Sequence, residues 1–141
     1  NGDIQTADDA IHVVQDLNCS GAMIARAATA RPWILWQIAE KLGLCSKTEN
    51  GRTLPETPEE EANEYYRAVV RHIEILNHYF GDNEYSLQKA RFFIATGSKW
   101  FLFGHSFWRI SMKAKSLKEM APAIQEYADK HQNKMYSRID F

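Results

Sequence analysis

Gly21-Ala22-Met23-Ile24-Ala25-Arg26-Ala27-Ala28, followed by Arg31-Pro32-Trp33-Ile34, is the stretch on which the fold turns. Ala22 to Ala25 is a short apolar run preceded by Asn18, Ser20 and Gly21, which is the pattern of a buried strand. A helix follows Pro32, because proline is at home in a first helical turn. Its apolar stripe is Leu35, Ile38, Ala39 and Leu42, and Gly43 is placed to end it. Upstream, Thr6 caps a helix whose first turn holds Asp8 and Asp9, where the helix dipole favours negative charge. Ala10, Val13, Val14 and Leu17 supply that helix's stripe. Helix, strand, helix is part of a βα repeat. Two such elements cannot close a sheet, so the remaining strands are expected upstream of Asn1. The chain starts at Asn1 rather than methionine, as a piece of a larger protein would.

Downstream, Ser46 to Pro55 is polar and carries Asn50-Gly51, which reads as a linker. Beyond it the pattern is helical. Thr57-Pro58-Glu59-Glu60 places a capping threonine, a proline at the first position and a glutamate three residues after the cap. Ala62, Tyr65, Tyr66, Val69, Val70, Ile73, Leu76 and Phe80 recur at helical steps, and Gly81 stops the helix. Another helix runs from about Tyr85, its end obscured by Gly97 and Gly104. A last one follows Ser116, where Ser116-Leu117-Lys118-Glu119 reads as a second capping box. Pro122 predicts a kink there or a later start.

The chain has 141 residues, 45% hydrophobic and 12% aromatic, which rules out disorder as its default. That length accommodates one ordinary domain or two small lobes. Cys19 and Cys45 are too few for a disulfide framework, and no metal-ligand spacing joins them to the five histidines. Neither cysteine has an acid–base partner nearby in sequence. No apolar run approaches a membrane span.

The net charge of −1 conceals a segregated distribution. Ser86 to Lys118 contains Lys89, Arg91, Lys99, Arg109, Lys113, Lys115 and Lys118 and no Asp or Glu. Phe92, Phe93, Trp100, Phe101, Phe103, Phe107 and Trp108 are interleaved, and these rings are expected in the core. The cations are either a solvated face or a surface for RNA or another polyanion. Asn1-Gly2-Asp3 and Ala25-Arg26-Ala27 fall where strands are expected to end and helices to begin, a place where backbone N–H groups can donate to a phosphate.

Asn1-Gly2-Asp3-Ile4, Gly21 to Ala28 and Arg31 to Ile34 together resemble the late-barrel signature of the tRNA-dihydrouridine synthases. Glu74-Ile75-Leu76 with Tyr79-Phe80-Gly81 resembles their C-terminal helical domain. The resemblance implies the closing βα units of a TIM barrel, incomplete here, followed by a helical bundle. It implies an α/β segment over 1–46, a linker over 47–56 and a helical tRNA-binding domain over 57–141. It implies FMN as cofactor, NADPH as reductant and tRNA as substrate, in a cytoplasmic monomer with no metal and no membrane contact. Asn1, Gly2, Asp3, Ala25 and Arg26 map onto the family's flavin-binding positions. Ala25 stands where the family has glycine, adding a methyl group beside the phosphate. Lys89, Arg91, Lys99, Arg109 and Lys113 are the implied RNA contacts. Arg91-Phe92-Phe93 is the nearest match to the family's Arg-Lys-His run. The family's proton-donating cysteine belongs to the first half of the barrel, and neither Cys19 nor Cys45 matches it. The chain alone is therefore expected to be inactive. A non-catalytic RNA-binding module and a different FMN-dependent barrel oxidoreductase are the alternatives.

Overall fold

A computed structural model describes residues 4–138. The chain divides into two compact units between Glu56 and Thr57.

Among the described residues, the first unit contains three short α-helices and a hairpin. α1 spans Ala7–Ile11. Thr6 Oγ1 accepts the Asp9 N–H at 3.1 Å, and Asp9 Oδ2 accepts the Thr6 N–H at 2.9 Å, completing the capping box. Burial alone would raise the Asp9 pKa. Hydrogen bonds from the Gln5 and Thr6 backbone and the Thr6 hydroxyl, with His12 nearby, outweigh it and hold the carboxyl below its ordinary value.

α1 continues into a π-helical turn over His12–Asp16 and ends at Asn18, whose φ of 51° is left-handed. The wider turn displaces the expected stripe. Ala7 and Ala10 are buried, Val13 and Val14 are half-buried, and Leu17 is exposed.

The strand expected at Ala22–Ala25 does not form. Residues 21–24 are irregular, and Ala25 opens the helix α2, Ala25–Ala30. A strand needs a neighbour to satisfy its N–H and C=O groups. Among the described residues none lies alongside this run, since the first unit's sheet consists of the hairpin alone. The expected βα repeat is therefore absent from the described residues.

α3 spans Ile34–Lys41. Gly43 (φ 71°) ends it as read from the sequence: its N–H bonds to Glu40 O at 2.8 Å, and Leu44 N–H bonds to Ala39 O at 2.9 Å. This is a Schellman cap. The buried face differs from the predicted stripe. Ile34 and Gln37 face inward, while Leu35 and Leu42 are exposed.

A buried arginine explains this rotation. Arg31 Nη1 donates to Gln5 O at 2.7 Å, and Nη2 to Gln37 Oε1 at 3.4 Å. Gln37 Nε2 donates in turn to Pro55 O at 3.0 Å. A guanidinium held out of water needs acceptors, and Gln37 serves only if its face turns inward.

Within the predicted linker, β1 (Thr48–Glu49) and β2 (Arg52–Thr53) pair antiparallel. Asn50 and Gly51 both have positive φ (51° and 75°), as a tight hairpin turn of this type requires.

The second unit is a helical bundle. α4 spans Pro58–Phe80, capped reciprocally by Thr57 and Glu60 as predicted. Ala62, Tyr65, Val69, Ile73 and Leu76 are buried, but Phe80 is exposed. Gly81 (φ 77°) ends the helix.

α5 spans Glu84–Ser98 and is capped by Asn83. α6 spans Gly104–Lys113, and α7 spans Leu117–His131. α5 packs against α4 and α6, and α7 packs against all three. α7 begins at Leu117 and continues through Pro122, so the later start does not occur. Only half of the second capping box forms. Ser116 accepts the Glu119 N–H, but the Glu119 carboxylate takes the Lys115 N–H at 2.8 Å. Asp82 supplies the rest, accepting from Leu117 N at 2.7 Å and Lys118 N at 3.2 Å.

Aromatic rings fill the centre. Tyr65 stacks on Phe101 (centroids 4.3 Å apart, planes at 15°) and lies near Phe93, Phe103 and Phe107. Its hydroxyl donates to Ile94 O at 3.1 Å, and burial pushes its pKa far up. The tail is tied onto this core. Leu102 N bonds to Tyr136 O, Arg138 N to Trp100 O and Ser137 N to Pro58 O.

His72 is half-buried against Phe93, with ring centroids 4.6 Å apart. Burial lowers its pKa, partly offset by a backbone hydrogen bond at Lys89. The unfolded chain therefore takes up the proton first as pH falls, and His72 costs stability below about pH 6.5. Urea melts at pH 7.5 and 5.5 should show a smaller loss of stability in His72→Gln than in the wild type.

Candidate functional site

The carboxylate-free segment Ser86 to Lys118 becomes the outer faces of α5 and α6. On α5 the buried residues are Leu87, Ala90, Ile94 and Gly97. The opposite side carries Tyr85, Lys89 and Phe92, with Lys99 following at the C-terminal cap, all exposed. On α6, Phe107 and Ser111 point inward, and His105, Trp108, Arg109, Met112 and Lys113 are exposed. Four of the five predicted RNA contacts thus face solvent. Lys99, Arg109 and Lys113 pair with no carboxylate among the described residues, and Lys89 Nζ sits 5.2 Å above the centre of the Tyr85 ring. Unneutralised cations of this kind attract phosphates.

Arg91 is placed differently. Its Nε donates to Ser111 O at 3.1 Å, its Nη2 to Ala114 O at 2.9 Å, and its Nη1 lies 3.8 Å from Glu84 Oε1. This fork caps the C-terminal end of α6, where the helix dipole is negative. Arg91 thus positions the α6 cations. Arg91→Lys cannot reproduce both bonds. It should cost about 2 kcal/mol, the scale of a charge-assisted hydrogen bond, which a urea titration would show.

The expectation that all the segment's rings are core is corrected. Phe101, Phe103 and Phe107 are buried, Phe93 and Trp100 are half-buried, and Phe92 and Trp108 are exposed. The sequence carried a signal for this. At 3.6 residues per turn, Phe92 lies about 180° from the mean direction of Leu87, Ala90, Ile94 and Gly97.

The predicted flavin positions are in the first unit. Asn1, Gly2 and Asp3 lie outside the described residues. Ala25 and Arg26 form the first turn of α2, are exposed, and have no side-chain cap above them. Backbone N–H groups in the first turn of a helix are the kind of donor an anion takes. Ala25 adopts an ordinary helical conformation, so its methyl group introduces no backbone strain here.

Cys19 is exposed, and Cys45 is half-buried with its Sγ 3.9 Å from Trp36 O. Burial, then Glu49 and Glu40, push the Cys45 thiol up, away from a nucleophile's range. No three His, Cys, Asp or Glu side chains gather as a metal site among the described residues, and none of the described helices is long and apolar enough to cross a membrane.

The sequence also matches the family model for dihydrouridine synthase (Dus) over residues 1–136. The chain belongs to the dihydrouridine synthase family. Its relatives include tRNA-dihydrouridine synthase B of Pseudomonas syringae pv. tomato, 35% identical over 82 residues, covering 58% of this chain and 22% of that protein. The Vibrio vulnificus tRNA-dihydrouridine synthase B is 34% identical over 82 residues, 58% of this chain and 23% of its own. A probable tRNA-dihydrouridine synthase of Mycobacterium leprae is 31% identical over 104 residues, 74% of this chain and 23% of its own. The matched part of this dihydrouridine synthase chain thus spans less than a quarter of the length of these curated relatives.

Proposed function

We propose that this chain is the C-terminal portion of an enzyme that reduces particular uridines of tRNA to 5,6-dihydrouridine. The observation that carries the reading is the family match over residues 1–136, joined to the outward cations of α5 and α6. Residues 1–46 would be the end of a TIM barrel, 47–56 the connection and 57–141 the tRNA-binding domain. The exposed Leu17, Met23, Leu35 and Leu42 support this, because large apolar side chains of this density seek a partner surface. In the reading, that surface is the rest of the barrel.

Ala25 and Arg26, with Asn1, Gly2 and Asp3, would hold FMN at its phosphate end. Bound FMN would supply the hydride for the 5,6 double bond, with NADPH restoring it. Lys89, Lys99, Arg109 and Lys113 would grip tRNA phosphates, and Arg91 would hold α6 in place. A cytoplasmic, monomeric enzyme belongs to the same reading.

The test uses the full-length protein. It should purify with bound flavin and reduce uridine in a tRNA transcript, and Arg26→Ala should lower flavin retention. For the 141-residue chain, tRNA affinity should fall steeply with salt, and Lys99→Ala with Arg109→Ala should flatten that slope. A flavin-free, inactive full-length protein that still binds tRNA would instead establish a non-catalytic RNA-binding module.

A further inference from the structure

We infer that the outer face of α5 is a track for unpaired RNA, on which Phe92 stacks against a base while Lys89 and Lys99 hold the flanking phosphates. The inference rests on the RNA-binding reading above and adds a contact of different chemistry. Phe92 is 66% exposed in the middle of a well-formed helix. Among the described residues no ring packs on it, whereas its neighbour Phe93 lies against Tyr65 and His72.

Tyr85, Lys89 and Phe92 follow one another along a single side of the helix, and Lys99, its C-terminal cap residue with helical dihedrals, continues the line. The stripe is about 21 Å long at 1.5 Å per residue. The side contains no carboxylate from Ser86 onward. Glu84, just before it, is turned to Gln88 (3.1 Å) and Arg91 (3.8 Å). Two cations with an apolar ring between them match a strand that presents charge and bare aromatic faces together. A duplex keeps its base faces stacked inside and offers this ring only phosphate and sugar. An unpaired strand offers base faces, and stacking on an aromatic side chain is insensitive to base identity.

Fluorescence anisotropy with the full 141-residue chain tests this. One probe is a labelled unstructured oligouridylate, the other a labelled RNA duplex with the same number of phosphates. The oligouridylate is expected to bind at least about tenfold more tightly. Phe92→Ala and Phe92→Leu should each weaken it about tenfold, within the range of one stacked base, and leave the duplex affinity unchanged. Phe92→Trp should retain it. Lys89→Ala and Lys99→Ala should each reduce the salt slope by about 0.7 for the single strand. Wild-type affinity in Phe92→Leu would overturn the stacking contact while leaving the cationic surface intact. Absence of binding to either probe would overturn the RNA-binding reading itself. A large fall in melting temperature in Phe92→Ala would show that the ring is packed, which also overturns the track.

Discussion

Gly104→Ala is expected to lower the melting temperature of the helical unit by about 10 °C or more. An added Cβ would lie 1.7 Å from the Ser98 carbonyl oxygen and 2.4 Å from its carbon. Both are backbone atoms, so no rotamer change relieves the clash. The peptide it meets ends α5 and starts the turn that carries Phe101 and Phe103 into the core. That turn is also bonded to the tail at Trp100 and Leu102. Displacing it disturbs three elements at once. The cost should reach the upper end of the roughly 1–3 kcal/mol of overpacking, and a domain of this size loses about 4–8 °C per kcal/mol. A far-UV circular dichroism melt measures it. A shift under about 2 °C would mean that the turn relaxes freely.

Tyr65→Ala should destabilise the same unit by about 3–5 kcal/mol, the cost of deleting a buried aromatic ring. Tyr65 is fully buried, stacked on Phe101, and bonded to the Ile94 carbonyl. Tyr65→Phe should cost only about 1 kcal/mol, the net worth of that hydrogen bond. The partner glycine makes the test specific. A Cβ on Gly97 would lie 2.3 Å from the Tyr65 ring, which cannot move because rings surround it. Gly97→Ala should therefore be costly in the wild type and much cheaper in Tyr65→Ala, where the ring is gone. Urea titrations of the two single variants and the double variant would show this as strong non-additivity. Additive costs would show that the two residues do not share the space.

Local features were readable wherever the determinant is local. The caps at Thr6 and Thr57, the stops at Gly43 and Gly81 and the length of α4 each depend on a few adjacent residues, and each forms. Features that depend on distant partners were not readable. Gly97 and Gly104 look like helix breakers in one dimension, yet one lies inside α5 and the other opens α6. They are glycines because Tyr65 and the Ser98 peptide occupy the space a side chain would need. Arg31 gives no sign in sequence that it will be buried, and it sets which face of α3 turns inward. Arg91 looks like one more member of a basic run, but its acceptors are twenty residues or more away.

The candidate site divides along the same line. The absence of acidic residues from Ser86 to Lys118 is a fact of sequence, and so is the order of motifs that marks the family. Whether a given cation is available to a phosphate depends on what else is within reach of its side chain. Lys99, Arg109 and Lys113 face outward, and Arg91 is held by carbonyls.

The sequence by itself determined the boundaries of α4, the segregation of charge and the family. These follow from the steric and electrostatic preferences of residues close together along the chain. Tertiary structure alone decided that Ala22–Ile24 has no strand partner among the described residues, that Arg31 is buried and that Phe92 is exposed. A strand forms only beside another strand, and a side chain is buried only where another element arrives to cover it.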